Sequence, residues 1–93
     1  MALVKIKNSR GAADVLVCEV GSRSAADLLV CVLGSRGPAR NNDGLWCFVE
    51  SSAAASVKIC WVQSRSAADL LVCFVTSRGV AGWRRAHRLQ GEL

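Results

Sequence analysis

The chain of 93 residues contains no tyrosine, one proline, one methionine and one histidine. A lone histidine, His87, excludes histidine-rich metal sites and leaves no imidazole pair for acid–base work. No apolar run approaches the roughly 18–20 residues that a membrane-spanning helix needs. There is no C-x-x-C pair, although the chain has five cysteines, an odd number that cannot all pair within one molecule. Nor is there a G-x-S-x-G turn, a P-loop or a pair of carboxylates at catalytic spacing. The expectation is a non-enzyme without cofactor or metal. The start, MALVKIK, places its lysines after its apolar residues, the wrong order for an export signal. The chain is therefore expected to be soluble and cytoplasmic, with reduced thiols.

What the sequence does have is repetition. Apolar residues make up 52% of it, too many for a disordered segment, and 93 residues suffice for one modest core. The stretch SRSAADLLVC occurs at 22–31 and again at 64–73, 42 positions apart. Aligned on S-R-x-x-A-D and an apolar run, the units are NSRGAADVLVCEV (8–20), GSRSAADLLVCVL (21–33), GSRGPARNNDGLWCFV (34–49), ESSAAASVKICWV (50–62) and QSRSAADLLVCFV (63–75). Four have 13 residues and the third has 16; TSRGVAGW (76–83) begins a sixth, and Ala2 to Lys7 reads as a lone strand before the first.

The second half of each unit is short, branched and bounded by turn residues, which predicts a strand; six residues are too few for a helix. The first half predicts a one-turn corner, since Ser24-x-x-Asp27 and Ser66-x-x-Asp69 have capping-box spacing. Pro38 and Asn41-Asn42-Asp43-Gly44 predict a looser loop in the long unit. One parity of the strands predicts the core: Val17, Val30, Trp46, Ile59 and Val72, with Val15, Leu28, Gly44, Val57 and Leu70 two places earlier and Glu19, Val32, Phe48, Trp61 and Phe74 two places later. Trp61 and Phe74 are counted in that core, and Glu19 predicts an exposed first strand. The opposite parity holds the cysteines and is also apolar, except for Lys58, which is expected to be exposed. Both faces are thus covered. A 13-residue period is shorter than that of open repeat arrays. The prediction is one all-β domain over residues 1–83, about six short strands in a compact prism or barrel with one-turn corners. A basic tail, 84–93, follows.

The unit S-x-S-x-A-D before an apolar strand, the off-length third unit ending in Asp43-Gly44-Leu45-Trp46, and Ala81-Gly82-Trp83 before a basic tail resemble the septoil-knot family, a bacterial domain family. The resemblance runs from about Leu3 to Arg85. It implies a small β protein with a deep seven-crossing torus knot. It implies a fold, and no activity. Periodicity by itself would not give a knot, because true knots are rare.

Three sets of residues are candidates for function. Cys18, Cys31, Cys47, Cys60 and Cys73 form a column with spacings of 13, 16, 13 and 13. Such a ladder steps by about 4.8 Å, whereas zinc needs four sulfurs about 2.3 Å from one point. The column reads as soft core filler, with thiol redox sensing the weaker alternative. Arg10, Arg23, Arg36, Arg65 and Arg78 follow the corner serines, and Arg84, Arg85 and Arg88 lie in the tail. Together they offer a nucleic-acid or polyanion surface, the alternative function. Against it, Asp14, Asp27, Asp43 and Asp69 can pair with the corner arginines. Trp83 beside the tail cations could stack on a base, but is expected to close the core ahead of a solvated tail. The net charge is +5, of which three arginines less Glu92 place +2 in Trp83 to Leu93. That is mild for a nucleic-acid binder. The leading expectation is a stable, monomeric, non-enzymatic scaffold or protein-interaction module with an unidentified protein partner and no membrane.

Overall fold

A computed structural model describes residues 2–34, 43–91 and 93. Among them are seven strands: β1 (Ala2–Ile6), β2 (Val15–Glu19), β3 (Leu28–Val32), β4 (Leu45–Phe48), β5 (Val57–Trp61), β6 (Leu70–Phe74) and the short β7 (Gly82–Trp83). Each apolar half-unit becomes a strand, as its composition dictates. The corners are single turns, tightened to 3₁₀ geometry at Arg10–Ala12 and Arg23–Ala25. Pro38, Asn41 and Asn42 of the long unit lie outside the described residues.

Strand order is β4-β1-β5-β2-β6-β3-β7, and β3 also pairs with β4. The first six strands therefore close into a barrel, all parallel, while β7 runs antiparallel to β3. Around the ring, each step β1→β2→β3 skips one strand, a third of a turn. A further such step would land β4 on β1. Instead the long unit advances only to the adjacent slot, and β4→β5→β6 then fill the gaps left by the first circuit. A third step of the second circuit brings β7 to the slot of β4, where it takes the lower end of β3 at Leu28 and Leu29. Seven passes in two interleaved circuits is the winding of a seven-crossing torus knot.

Neighbouring strands are staggered by two residues: Val17 pairs with Leu70 rather than Val72, and Leu28 with Val72 rather than Leu70. With strands about 4.8 Å apart and about 3.3 Å per residue, that stagger repeated around six strands tilts them by roughly 50°. Equivalent repeat positions then stand at one height, and the interior is built in three layers. The lower is Ala2, Val15, Leu28, Gly44, Val57 and Leu70, all buried. The middle is Val4, Val17, Val30, Trp46, Ile59 and Val72, each 0% exposed. The upper, at the C-terminal ends of the strands, is Ile6, Glu19, Val32, Phe48, Trp61 and Phe74. The predicted core parity is the barrel interior. Glu19 has a different cause from the one expected. Strand β2 is paired on both sides, and Glu19 is exposed because its layer is the mouth of the barrel.

The outer face is covered by the returning corners. Ala26 is fully buried and packs with Leu29, Cys31, Cys73 and Val75. Lys58, expected to be exposed, is half-buried. The corner aspartates do not form capping boxes either: Ser22, not Ser24, precedes the turn, and no side chain caps it. They reach instead to the next strand. The Asp27 amide donates to the Leu71 carbonyl at 2.7 Å, and its carboxylate accepts the Leu71 amide at 3.0 Å. Asp69 brackets Leu16 in the same way, and Asp14 brackets Lys58. Ser56 does so with Leu3. Each staple extends the parallel ladder by one residue at the strand's start. Asp69→Ala is expected to cost about 1–2 kcal/mol, the part-exposed version of losing a charged acceptor, and Asp69→Asn less, because the amide oxygen still accepts. Urea denaturation checks the order; equal stabilities for alanine and wild type would exclude the staple as a stabilising contact.

The described residues of the tail, 84–91 and 93, do not form a solvated tail. Leu89 is 7% exposed and Leu93 2%, both within the interior cluster. The Leu93 carbonyl accepts from the Trp46 indole at 3.0 Å and from the Gly44 amide at 2.9 Å. Leu89 donates its amide to His87 Nδ1 at 3.1 Å, so the ring proton sits on Nε2, 3.0 Å from the Asp69 carbonyl. The His87 ring stacks on Trp83 at 5.2 Å. Asp43 is freed from stapling by β7 and accepts the Trp83 indole and the Gly91 amide instead. The segment plugs the N-terminal mouth of the barrel.

Candidate functional site

The three candidate sets are placed very differently. The cysteines are the outer-face residues just above the middle layer, spread around the wall. All five are free and buried, with exposures of 5–7%. Their thiols lie beside backbone carbonyls, as Cys73 does with Phe74 at 3.8 Å and Cys18 with Gln63 at 3.8 Å. No group of three metal-ligating side chains occurs among the described residues. Repeat symmetry assigns each thiol its own slot, which gives a packing role and no common centre. Thiol counting should find five thiols at once in denaturant and slow reaction in buffer. Three or fewer in denaturant would mean that disulfides form.

The arginines divide into two groups. Those of the tail are engaged: Arg85 lies 3.5 Å from Asp27 and donates to the Ser24 carbonyl, and Arg88 lies 3.3 Å from Asp69. Asp27 and Asp69 thus pair with the tail, and none of Asp14, Asp27, Asp43 and Asp69 pairs with a corner arginine among the described residues, contrary to expectation. Arg84 is tied by its backbone, its amide donating to the Asp27 carbonyl at 2.8 Å, and its side chain is exposed. Arg10, Arg23, Arg65 and Arg78 are exposed and make no ion pair among the described residues. Arg36 lies outside the described residues. The winding spreads the corners around the molecule, which measures 32 × 31 × 21 Å. Arg10, Arg23, Arg65 and Arg78 lead into four different strands, β2, β3, β6 and β7, and neighbouring strand starts on a circumference of about 100 Å stand roughly 16 Å apart, twice the Debye length of about 8 Å in physiological salt.

The remaining candidate is the mouth that no segment plugs. Ile6, Val32 and Phe48 of the upper layer are 41%, 44% and 37% exposed, three of the four large apolar side chains on the described surface. Trp61 and Phe74 complete the layer, half-buried against the interior. The two rings meet at 5.9 Å, and Phe48 and Phe74 each stand edge-on to Trp46 below. In ring order the layer reads Ile6, Trp61, Glu19, Phe74, Val32, Phe48. Beside it a depression of about 310 Å³ is lined by Lys5, Ile6, Phe48, Val49 and Glu50. A second, of about 220 Å³, lies at the plugged end between Asp14, Ser56 and the tail leucines. Sequence reasoning counted Trp61 and Phe74 as core and missed the mouth. The signal was present: Glu19 interrupts an apolar column at one level only, which marks that level as wet.

No helix among the described residues is long and apolar enough to cross a membrane. No curated protein matches the chain, and no solved structure does. The model of the 7(1) septoil knot domain matches residues 1–84, the seven passes and the two circuits together. The chain belongs to the septoil knot family.

Proposed function

We propose that the protein is a non-enzymatic protein-interaction module that docks its partner at the open mouth of the barrel. The observation that supports this is the grouping of Ile6, Val32 and Phe48 in one exposed layer at the end opposite the plug. A single exposed apolar residue needs no explanation, but a contiguous layer of them marks an interaction surface. A closed wall with stapled strands holds that layer rigid, which lowers the ordering cost of binding. The test is selection from a random-peptide display library on the folded protein, repeated with Phe48→Glu. Selected peptides should bind the wild type and lose at least tenfold in affinity on the variant. Peptides indifferent to Phe48→Glu would overturn the reading.

The exposed corner arginines support a second reading, binding of nucleic acid or another polyanion. Their wide spacing favours it less, since a partner meets few of them together. It requires affinity for a single-stranded oligonucleotide that falls steeply between 50 and 200 mM salt, as counterion release demands. Redox sensing is the weakest reading, because the thiols are buried. The proposed setting is the cytoplasm, where five free thiols stay reduced.

A further inference from the structure

We infer that the mouth takes a partner segment presenting one arginine among apolar side chains, the guanidinium held by Glu19 beside Trp61 and Phe74. This rests on the docking reading above and names the chemistry of the partner. Strand β2 lies between β5 and β6, so Glu19 stands between Trp61 and Phe74 at the same height. The two rings still reach each other, 5.9 Å between centroids and tilted by 57°. Glu19 and the two aromatic residues therefore share one sector of the mouth. Glu19 is the only ionisable residue of the six in that layer, is exposed, and makes no ion pair among the described residues.

A carboxylate beside aromatic faces suits a cation, and a planar one most. Guanidinium stacks on a ring while its N–H fork donates to a carboxylate in the guanidinium's own plane. An ammonium can satisfy one of these demands at a time. The rest of the layer, Ile6, Val32 and Phe48, is apolar and sets what must flank the arginine. Around the layer, Lys5 and Glu50 both line the depression beside Ile6 and Phe48, and the Lys7 ammonium donates to the Ser52 hydroxyl at 2.8 Å, so within the layer itself Glu19 supplies the charge. The overall charge of +5 does not oppose a cation here, because the corner arginines are spread around the wall and screened beyond about 8 Å.

The experiment uses peptides selected from the display library on the full chain. Each is resynthesised with citrulline in place of arginine, which keeps shape and removes charge. Binding of both forms is measured to wild type, Glu19→Gln and Phe48→Glu, with melting curves to verify that the variants are folded. The expected result is an arginine flanked by apolar residues in peptides that Phe48→Glu abolishes, and about tenfold weaker binding of the citrulline form to wild type. Glu19→Gln should bring the two forms within about twofold of each other, as a coupled pair requires. Mouth-dependent peptides without arginine, or with arginine and citrulline equal on wild type, would overturn this inference and leave the docking reading standing. Acidic peptides at the mouth would overturn it too. A library yielding no peptide sensitive to Phe48→Glu overturns both. If Glu19→Gln fails to fold, the citrulline comparison on wild type decides alone.

Discussion

Trp46→Ala is expected to cost about 3–5 kcal/mol, the range for truncating a buried aromatic. Trp46 is the one large side chain in a middle layer otherwise made of Val4, Val17, Val30, Ile59 and Val72, and is 0% exposed. Five β-branched residues around a ring leave the axis to be filled, and the indole fills it. Its loss opens a cavity that the closed wall cannot collapse into, because each of the six strands of the wall is held on both sides. Phe48 and Phe74 lose the ring they stand against, at 6.2 and 6.5 Å. The Leu93 carbonyl loses its indole donor but keeps the Gly44 amide, so the penalty is one of packing more than of hydrogen bonding. Domains of this size have total stabilities of about 5–14 kcal/mol, so the variant sits close to unfolding. Lys58→Ala is the comparison: the Lys58 backbone, not its side chain, takes part in the Asp14 staple, and the change should cost under about 1 kcal/mol. Denaturant titration gives both values. If the two variants unfold at the same midpoint, the assignment of the interior is wrong.

Gly44→Ala is expected to cost a similar amount for a different reason. Gly44 has φ +92°, and a β-carbon there would lie 2.6 Å from the Leu29 carbonyl oxygen and 2.7 Å from the Gly82 nitrogen. Three chain segments, β3, β4 and β7, crowd this point because the second circuit brings β7 to the slot where β4 begins. Backbone strain for a non-glycine residue adds about 1–3 kcal/mol. Displacing backbone on two sides adds a comparable overpacking cost of about 1–3 kcal/mol. Neither obstacle is the end of a flexible side chain, so neither can swing away. Gly21→Ala is the control: nothing lies within 4 Å of its β-carbon position and its φ is ordinary. It should change stability by less than about 0.5 kcal/mol. A Gly44→Ala protein that melts with the Gly21→Ala protein would mean that β7 does not pack where the register of Leu28 with Trp83 puts it.

Repetition made much of this fold legible in advance. Five aligned units display each column five times, so the interior parity of Val17, Val30, Trp46, Ile59 and Val72 could be read directly. Apolar residues on both parities required a wall covered inside and out. The size of each angular step was hidden, because a 13-residue unit says how far the chain travels along itself and not how many strands it skips. The staples were hidden for the same reason. Ser24 and Asp27 have the spacing of a cap, and only the strand order reveals the Leu71 amide as a nearer donor. Leu89 and Leu93 were lost among arginines, where composition reported charge and the four-residue spacing of two leucines went unread. The mouth was hidden by its own column, since the same parity is buried in the two layers below it.

Every pairing in the sheet joins one of β1, β2 and β3 to one of β4, β5, β6 and β7. No strand of the first circuit touches another of its own by hydrogen bonds. On the ribosome, the three leading strands therefore emerge with no partner, and the first one they can take starts at Leu45. At about 5–20 residues per second, the nascent chain waits for roughly seconds before the second circuit is complete. During that time its apolar strands expose unpaired edges, the template on which aggregates grow. The finished barrel closes those edges, so the period of greatest exposure for this protein is its own synthesis, when chaperones at the exit tunnel would have the most to cover.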